Sequence, residues 1–347
     1  MKFKKKILTI DKYIDEALYN NKFGYYMKNN PFGKKGDYIT SPNISVLFSE
    51  MIAIWIISFW KNLKCSKKFN LIELGAGNGE MIKQILNTFE KFPSIKKNCK
   101  IHILEKSIYL KNIQKQNLKK KKIKWLKNLN KLSKDPNIFI ANEFFDALPI
   151  KQFVNKNKRW HERNVRFSKF NEPKFIDILT NIKKLEKKIG FKISYKQKFI
   201  EFSPLATKYL KIISKKIKFN GGGLLIIDYG YLNENMKNTL QSVLNHRYNN
   251  VLNNFGKADI TYSINFNLLK KIIKKFDLKA IGTTSQKKFL TNLGILKRAE
   301  IVSRNLPFSK KADIYYRLKR LIDKNFMGEL FKVMFVSNKN IKFKTGF

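Results

Sequence analysis

The feature that most constrains the fold is an apolar strand that runs directly into a glycine-rich turn and then into a helix. Residues 71–79 read Leu-Ile-Glu-Leu-Gly-Ala-Gly-Asn-Gly. Glycines in such a turn let the backbone come close to a ligand and present free N–H groups at the start of the helix. Ile82, Ile85, Leu86 and Phe89 follow at helical spacing. The segment therefore predicts a ligand-binding strand–turn–helix unit of an α/β protein.

From about residue 69 onward, short apolar strands alternate with amphipathic helices, which is the pattern of βαβ units in a mainly parallel sheet. We therefore predict a Rossmann-like α/β fold with seven mostly parallel strands and helices on both faces. The predicted strands are 69–74, 101–104, 123–125, 137–142, 224–228, 278–282 and 332–337.

The chain is predicted to have two parts. Residues 1–66 form a helical N-terminal extension with a loop that covers the ligand, and residues 67–347 form the main domain. Ser41 followed by Pro42 predicts an N-cap and first helical position. Insertions into the main domain are predicted at about 151–200, 231–262 and 285–328.

The formal net charge of +47 invites a nucleic-acid hypothesis, but the kind and placement of the charges argue against it. Only eight of the 72 basic residues are arginine, which is the side chain that favours bidentate contacts to phosphates and bases. The lysines are spread along the whole chain. We therefore expect no specific nucleic-acid partner.

The cysteine, histidine and hydropathy patterns indicate which further classes of protein can be excluded. Cys65, Cys99 and three well-separated histidines offer no disulfide framework and no metal-ligand spacing, so no metal is predicted. The apolar stretch 51–60 is shorter than the ~20 residues that a membrane span requires. No secretory signal follows the basic start of the chain. We expect a cytoplasmic protein without a membrane span.

Two acidic residues lie at the ends of the first two predicted strands. Glu73 precedes the turn, whose spacing Gly75-x-Gly77-x-Gly79 differs from the dinucleotide pattern Gly-x-Gly-x-x-Gly. Glu105 ends the second strand, where an acid can accept hydrogen bonds from ribose hydroxyls. This pair favours a class I methyltransferase site, in which Glu73 engages the methionyl ammonium of S-adenosylmethionine.

The fourth predicted strand runs into residues 141–149, Ala-Asn-Glu-Phe-Phe-Asp-Ala-Leu-Pro. Asn142, Glu143 and Asp146 are polar groups among apolar ones, and burying them is costly unless they bind a ligand or each other. One interpretation is that they cap the next helix. The other is that Glu143 or Asp146 orients a methyl acceptor at the ligand-binding edge of the sheet.

These motifs together resemble the MidA family of mitochondrial complex I assembly-factor methyltransferases and their bacterial relatives. The resemblance runs over nearly the whole chain. The matching segments are 23–26 (Phe-Gly-Tyr-Tyr), 36–42 (Gly-Asp-Tyr-Ile-Thr-Ser-Pro), 141–149, 226–230 (Ile-Ile-Asp-Tyr-Gly), 239–241 (Thr-Leu-Gln) and 327–333 (Met-Gly-Glu-Leu-Phe-Lys-Val).

The resemblance implies a class I fold, S-adenosyl-L-methionine as cofactor, and methylation of an arginine in a protein substrate, for the mitochondrial members a complex I subunit. The cofactor residues that it implies are Gly36, Asp37, Thr40, Glu73, Gly75, Gly77, Gly79, Glu105 and Asn142.

Four positions depart from the family pattern. Asn78 stands where relatives often have Arg, Asn43 replaces a common Glu, Ile108 replaces a Pro and Lys257 replaces an acid. None of these departures removes a glycine or an acid that the cofactor needs.

An arginine acceptor remains protonated, so carboxylates must hold it with one nitrogen aimed at the methyl group. Glu143 is the first candidate, with Asp146 or Glu162 as the second, and His246 could assist proton removal. Two alternatives stay open: a methyltransferase acting on RNA or a small molecule, and a non-catalytic assembly factor that binds the cofactor. The oligomeric state is not predicted.

Overall fold

The computed structural model describes residues 6–28, 31, 39–63, 68–119, 121–168 and 172–347. Its strands are β1 (Lys6–Thr9), β2 (Phe69–Leu74), β3 (Cys99–Leu104), β4 (Ile123–Leu126), β5 (Asn137–Asn142), β6 (Lys151–Lys156), β7 (Arg159–Phe167), β8 (Lys174–Leu179), β9 (Phe199–Phe202), β10 (Gly222–Tyr231), β11 (Gln241–Leu244), β12 (Arg247–Asn249), β13 (Asp259–Thr261), β14 (Ile264–Asn265), β15 (Lys279–Ser285) and β16 (Phe331–Ser337).

The helices alternate with these strands and come to both faces of the main sheet. They are α1 (Ile10–Tyr19), α2 (Tyr25–Lys28), α3 (Ser41–Ile44), α4 (Val46–Asn62), α5 (Glu80–Phe89), α6 (Pro93–Asn98), α7 (Ile108–Asn117), α8 (Ile182–Ile189), α9 (Pro204–Asn220), α10 (Phe266–Lys275), α11 (Gln286–Asn292), α12 (Ile295–Ser303), α13 (Phe308–Ile322) and α14 (Met327–Leu330).

The central sheet has the order β15-β16-β10-β5-β2-β3-β4, and the two-residue β14 adds to β10 as an eighth strand. The prediction of seven strands missed β14, which is too short to show a hydrophobic pattern. β4, β3, β2, β5 and β10 run parallel, while β16 is antiparallel to both of its neighbours. A mainly parallel α/β sheet is therefore confirmed.

The core lies in two layers, one on each face of this sheet, because successive strand residues point to opposite faces. Ile72 of β2 belongs to the layer that contains α1, α9 and α10. Its neighbour Leu71 belongs to the layer that contains α4, α5 and α12. All six residues of β2 and of β5 are buried, as expected for strands covered on both faces.

A second, antiparallel sheet joins the N-terminal part to the main domain. Its order is β1-β7-β6-β9, with β8 paired to β7. The hairpin of β6 and β7 lies where the sequence predicted an excursion. β1 was not predicted, because the N-terminal part was expected to be helical and its pairing partner lies some 150 residues away.

The helical entry after residue 40 differs in detail from the prediction. Ser41 is not the N-cap: Thr40 is the N-cap of the four-residue α3, and Ser45 is its C-cap. Ser45 caps the following helix through a hydrogen bond from the Leu47 N–H. That helix, α4, is buried as predicted. Across the described ranges, no helix combines the length and apolar character needed to cross a bilayer.

Candidate active site

The carboxyl ends of neighbouring parallel strands meet at one edge of the central sheet and carry acidic side chains. Glu73 lies near the end of β2, Glu105 follows β3 and Glu143 follows β5. Asp228 lies in β10, where the preceding Ile227 pairs with Asn142. Open α/β sheets bind their ligands at this edge.

A cleft of about 820 Å³ opens at this edge, beside a smaller cavity of about 360 Å³. Gly75, Gly77 and Glu143 line both spaces. Aromatic rings and acids form much of the larger cleft, as is typical of a small-molecule site. Its walls include Tyr19, Tyr26, Glu105, Phe144, Asp146 and Tyr209, and those of the smaller cavity include Thr40, Asn43, Glu73, Asn78 and Asn142.

The glycine turn has the backbone that its sequence predicts. Gly75, Gly77 and Gly79 all have positive φ angles, of 67°, 53° and 83°, and Gly79 is the N-cap of α5. A Cβ on Gly75 would lie 2.9 Å from Cδ2 of Phe144, so the ring needs a glycine there. The turn is therefore specific for glycine through its conformation and, at Gly75, through this contact.

Glu73 is 3% exposed, and its Oε2 has no hydrogen-bond partner within the described residues. Burial, and then the charge of Glu105, raises the pKa of Glu73 to about 8. Asn142 Oδ1, which faces the same cavity, is also without a partner among these residues. Such buried oxygens are costly unless a ligand donates to them, so they fit the ammonium group of a cofactor.

Glu105 is held by several donors on the other side of the glycine turn, among them the backbone of Lys106. Its Oε1 accepts the Ser107 N–H at 2.9 Å, and its Oε2 accepts the side-chain N–H of Gln114 at 3.0 Å. Burial raises the pKa of Glu105, while these hydrogen bonds oppose the shift. A carboxylate fixed at both oxygens beside the cleft suits the recognition of ribose hydroxyls.

Three carboxyl groups cluster at the turn after β5, two of them on the turn and the third on β10. Glu143 adopts a φ of 50° and accepts hydrogen bonds from the side chain of Asn142 and the N–H of Ser41. Asp228 is fully buried and accepts the backbone N–H groups of Phe145 and Asp146, at 3.1 and 3.3 Å. Asp228 thereby fixes the turn that carries the other two acids.

Burial and mutual repulsion both disfavour the charged forms of these carboxyl groups. Burial raises the pKa of Glu143 to about 7. Burial, and then the charge of Glu143, raises the pKa of Asp146 to about 7. Burial, Asp146 and Glu143, in that order, raise the pKa of Asp228 well above its usual range. Asp146 Oδ1 lacks a partner in the described part of the chain. A cationic ligand would relieve this repulsion.

The N-terminal helices close one side of the cleft. The Tyr19 hydroxyl donates to the carbonyl of Ala147 at 3.0 Å, next to Asp146. The Tyr26 hydroxyl donates to Asp259 at 2.9 Å, and the Tyr26 carbonyl accepts the Ser107 hydroxyl at 2.6 Å. Asp259 is 3% exposed and contributes to raising the pKa of Glu143.

Two of the departures from the family pattern contact each other. The Asn78 side chain donates to Asn43 Oδ1 at 3.0 Å, and the Asn43 amide donates to Thr40 at 2.7 Å. An amide pair therefore joins the glycine turn to the segment at Thr40, where the family pattern would place Arg and Glu. Gly36 and Asp37, the other two residues predicted on this segment, lie outside the described residues.

The structure does not bring every predicted residue to the site. His246 is exposed, in the two-residue turn between β11 and β12, and does not line the cleft. Glu162 is bound by Lys151 at 2.6 Å in the β6–β7 hairpin, so it is not available as the second carboxylate. The described residues contain no group of acids, histidines or cysteines that could hold a metal.

Sequence reasoning missed Gln114, Asp228 and Asp259. Asp228 lay within the motif 226–230, where an acid after four apolar residues at a strand end was the available signal. Asp259 pairs with Val243 across β11 and β13, a tertiary contact without a local pattern.

Comparisons with known proteins agree with this geometry. Residues 51–284 match the family described as "Putative S-adenosyl-L-methionine-dependent methyltransferase". "Protein arginine methyltransferase NDUFAF7, mitochondrial" is 30% identical in Homo sapiens, with 93% of this chain and 78% of that protein aligned. The same protein of Danio rerio is 28% identical, over 95% of this chain and 83% of the relative.

A crystal structure from Burkholderia thailandensis, determined with bound S-adenosyl-homocysteine, superposes with a TM-score of 0.83. The superposition covers 98% of this chain and 90% of that one, at 21% sequence identity, and shows the class I methyltransferase type of fold. The glycine turn and its flanking acids fit the cofactor of such enzymes. The chain therefore belongs to this family of S-adenosyl-L-methionine-dependent methyltransferases.

Proposed function

We propose that this enzyme methylates the side chain of an arginine in a protein substrate. The observation that carries the proposal is the cluster of Glu143, Asp146 and Asp228 at one end of the cleft, in a chain of net charge +47. Asp146 and Asp228 are buried, and Glu143 is half-buried. An acidic pocket in a basic protein selects a cationic acceptor. The relatives named protein arginine methyltransferase support the same assignment.

The chemistry of guanidinium explains why two carboxylates are needed. The group keeps its charge at every accessible pH and presents five N–H donors in a planar fork. Glu143 and Asp146 can accept from two sides of that fork and leave the third nitrogen free to react. Asp228 acts as a positioning residue, because it holds the N–H groups of Phe145 and Asp146.

The cofactor-binding residues are assigned in the same way. S-adenosyl-L-methionine would supply a methyl group from its positively charged sulfur, and the broken S–C bond would leave it as S-adenosylhomocysteine. Glu73 and Asn142 would hold its methionyl end and Glu105 its ribose. Gly75, Gly77, Gly79 and Thr40 would shape the wall, and Gly36 and Asp37 are proposed to cover it from the resemblance alone.

During transfer, the chain's residues orient the acceptor and handle one proton. As the new N–C bond forms, a proton leaves the reacting nitrogen, and Glu143 or Asp146 can accept it because both have pKa values of about 7. Tyr19 and Tyr26, which line the cleft, help to exclude water from it. His246 has no part in this scheme.

The substrate protein, the cellular location and the domain organisation are also proposals. We propose a subunit of respiratory complex I as the substrate and the cytoplasm as the location, on the resemblance described above. Residues 1–66 would cover the cofactor, and 67–347 would form the methyltransferase domain with insertions at about 151–200, 231–262 and 285–328. The pairing of β1 with β7 joins these two parts.

The test supplies methyl-labelled cofactor, the purified protein and a lysate of the source organism, and then separates protein, RNA and small molecules. We expect label in protein, reduced about 100-fold by Glu143→Gln because the acceptor loses a charged partner. Glu162→Gln is the matched control and should retain activity within about twofold. Label in RNA or in small molecules, or no label at all, would contradict the proposal.

A further inference from the structure

Helix α7 carries a buried polar side chain that the proposed mechanism does not use. Leu110, Gln114 and Leu118 recur at helical spacing and face the glycine turn, and Gln114 is 0% exposed. Leu118 Cδ1 would lie 3.2 Å, and Gln114 Cγ 3.5 Å, from a Cβ added at Gly79. An amide at the centre of an apolar stripe needs a full set of hydrogen bonds to be tolerated.

The amide of Gln114 has three such partners. Its Nε2 donates to the carbonyl of Gly77 at 2.9 Å and to Oε2 of Glu105 at 3.0 Å. Its Oε1 accepts the indole N–H of Trp125, on β4, at 2.9 Å. The side chain thus connects the glycine turn, the acid after β3 and the neighbouring strand.

These partners determine which way the amide points. The Gly77 carbonyl and the Glu105 carboxylate can only accept, whereas the Trp125 indole can only donate. A flipped amide would place its oxygen against two acceptors and its NH₂ group against a donor. The hydrogen bond from Trp125 therefore keeps the NH₂ group of Gln114 directed at Gly77 and Glu105, on the side of the cofactor site.

We infer that Gln114 is a positioning residue that sets the Glu105 carboxylate for the ribose of the cofactor and gives the enzyme its preference for ribose over deoxyribose. The inference rests on the assignment of Glu105 to the ribose and is independent of the arginine acceptor. Ser107 donates to Oε1 of Glu105 and Gln114 donates to Oε2, the Lys106 backbone adds a further hydrogen bond, and the carboxylate held in this way lines the cleft.

The experiment measures the dissociation constants of S-adenosylhomocysteine and of its 2′-deoxyribose analogue by calorimetry, so it needs no methyl acceptor. Gln114→Glu retains the shape but replaces the donor by a second carboxylate. At pH 8 we expect it to weaken binding of the ribose ligand about 10- to 100-fold and to bring the two ligands within about twofold of each other.

The pH dependence separates positioning from a general structural defect. As the pH falls from 8 to 5.5, the introduced carboxyl takes up a proton and can donate again, so the ratio of variant to parent dissociation constants should decrease. Gln114→Met, which can never donate, should show a loss that is independent of pH. Trp125→Phe leaves the amide free to turn and should show a smaller loss, with reduced ribose preference.

Gln152 provides a matched control elsewhere in the fold. It is 1% exposed and donates to the buried Glu201 at 2.8 Å, so Gln152→Glu makes the same chemical change away from the cleft. This variant should bind both ligands like the parent.

The inference is overturned if folded Gln114→Glu retains the parental ribose preference, or if it weakens both ligands equally at every pH. Should Gln114→Glu fail to fold, unchanged ribose preference in Trp125→Phe overturns it. A parent with no ribose preference would refute the role of Glu105 itself.

Discussion

At the scale of single residues, several backbone conformations with positive φ occur where the ligand is expected. Gly75, Gly77 and Gly79 have positive φ angles within five residues, and Glu143 is one of the non-glycine residues that share this feature. Such conformations persist only where surrounding contacts enforce them. Glu143 is held by its own N–H, which donates to the Ile227 carbonyl at 2.9 Å, and its side chain is thereby directed into the cleft.

Gly75→Ala should weaken S-adenosylhomocysteine binding at least about 10-fold, because the added Cβ meets the Phe144 ring at 2.9 Å. Gly294→Ala is the matched control: its φ is 86°, and a Cβ there meets nothing within 4 Å. Both variants should lose about 1 kcal/mol of folding stability from backbone strain. Calorimetric binding and chemical denaturation check the two effects, and equal cofactor affinities in the two variants would refute the Phe144 contact.

The acidic cluster predicts how activity depends on pH. Glu143 and Asp146 have pKa values of about 7, raised by burial, and only their ionised forms bind a guanidinium. We therefore expect kcat/KM to rise as the pH increases from 6 to 8 and to level off above it, since this ratio reports the free enzyme. Asp146→Asn, which removes one of the coupled groups, should shift the midpoint downward. A profile that is flat from pH 5.5 to 8.5 would contradict the assignment.

At the scale of elements, the sequence was sufficient to predict the bounds of strands that are buried on both faces. β2 and β5 begin and end where their apolar runs predicted, because a buried parallel strand has a continuous apolar sequence with clear ends. The placement of Glu73, Glu105 and Glu143 at one sheet edge followed from that topology. β1, Gln114 and Asp259 depend on partners far along the chain, so no local pattern indicated them.

A buried polar chain crosses three of the parallel strands at the end away from the cleft. His102 Nε2 lies 3.1 Å from Asn70 Oδ1, and the Asn70 amide donates to Asn137 Oδ1 at 3.1 Å. The three residues lie on β3, β2 and β5. Burial, and then Lys124 and Lys100, lowers the pKa of His102 to about 4.

This hydrogen-bonded network predicts that part of the folding stability is lost in acid. Because the folded protein keeps His102 neutral while the unfolded chain protonates it near pH 6.5, its contribution to stability is complete above pH 6.5 and is lost as the pH falls toward 4. His102→Gln should therefore flatten the stability profile in that interval relative to the parent. Urea denaturation at several pH values measures it, and parallel profiles for the two proteins would contradict the prediction.

At the scale of the whole molecule, the charges are distributed unevenly. The chain has 25 acidic residues against 72 basic ones, yet the acids Glu73, Glu105, Glu143 and Asp146 line the cleft or the cavity beside it. Asp228 lies directly behind them, where it accepts the Asp146 N–H. The basic surface repels itself and weakens the fold, while the acidic cleft attracts cations. The net charge thus predicts how stability depends on salt, whereas the placement of the acids predicts a cationic methyl acceptor.

Salt should therefore stabilise the protein. Raising sodium chloride from 20 to 300 mM shortens the Debye length and screens the lysine repulsion, so we expect Tm to increase by about 3 °C or more. Differential scanning fluorimetry measures this shift. A Tm that falls with added salt would mean that surface ion pairs, such as Lys96–Glu90, outweigh the repulsion.

The most direct test of the central claim is to identify the methylated atom. Protein labelled by the purified enzyme and methyl-labelled cofactor is hydrolysed to amino acids, and the labelled species is separated and compared with methylated standards. We predict that the label is on a guanidinium nitrogen of arginine, and that Glu143→Gln reduces it about 100-fold while S-adenosylhomocysteine binding is retained. Label on lysine or on another side chain, or arginine methylation that is unchanged in Glu143→Gln, would contradict it.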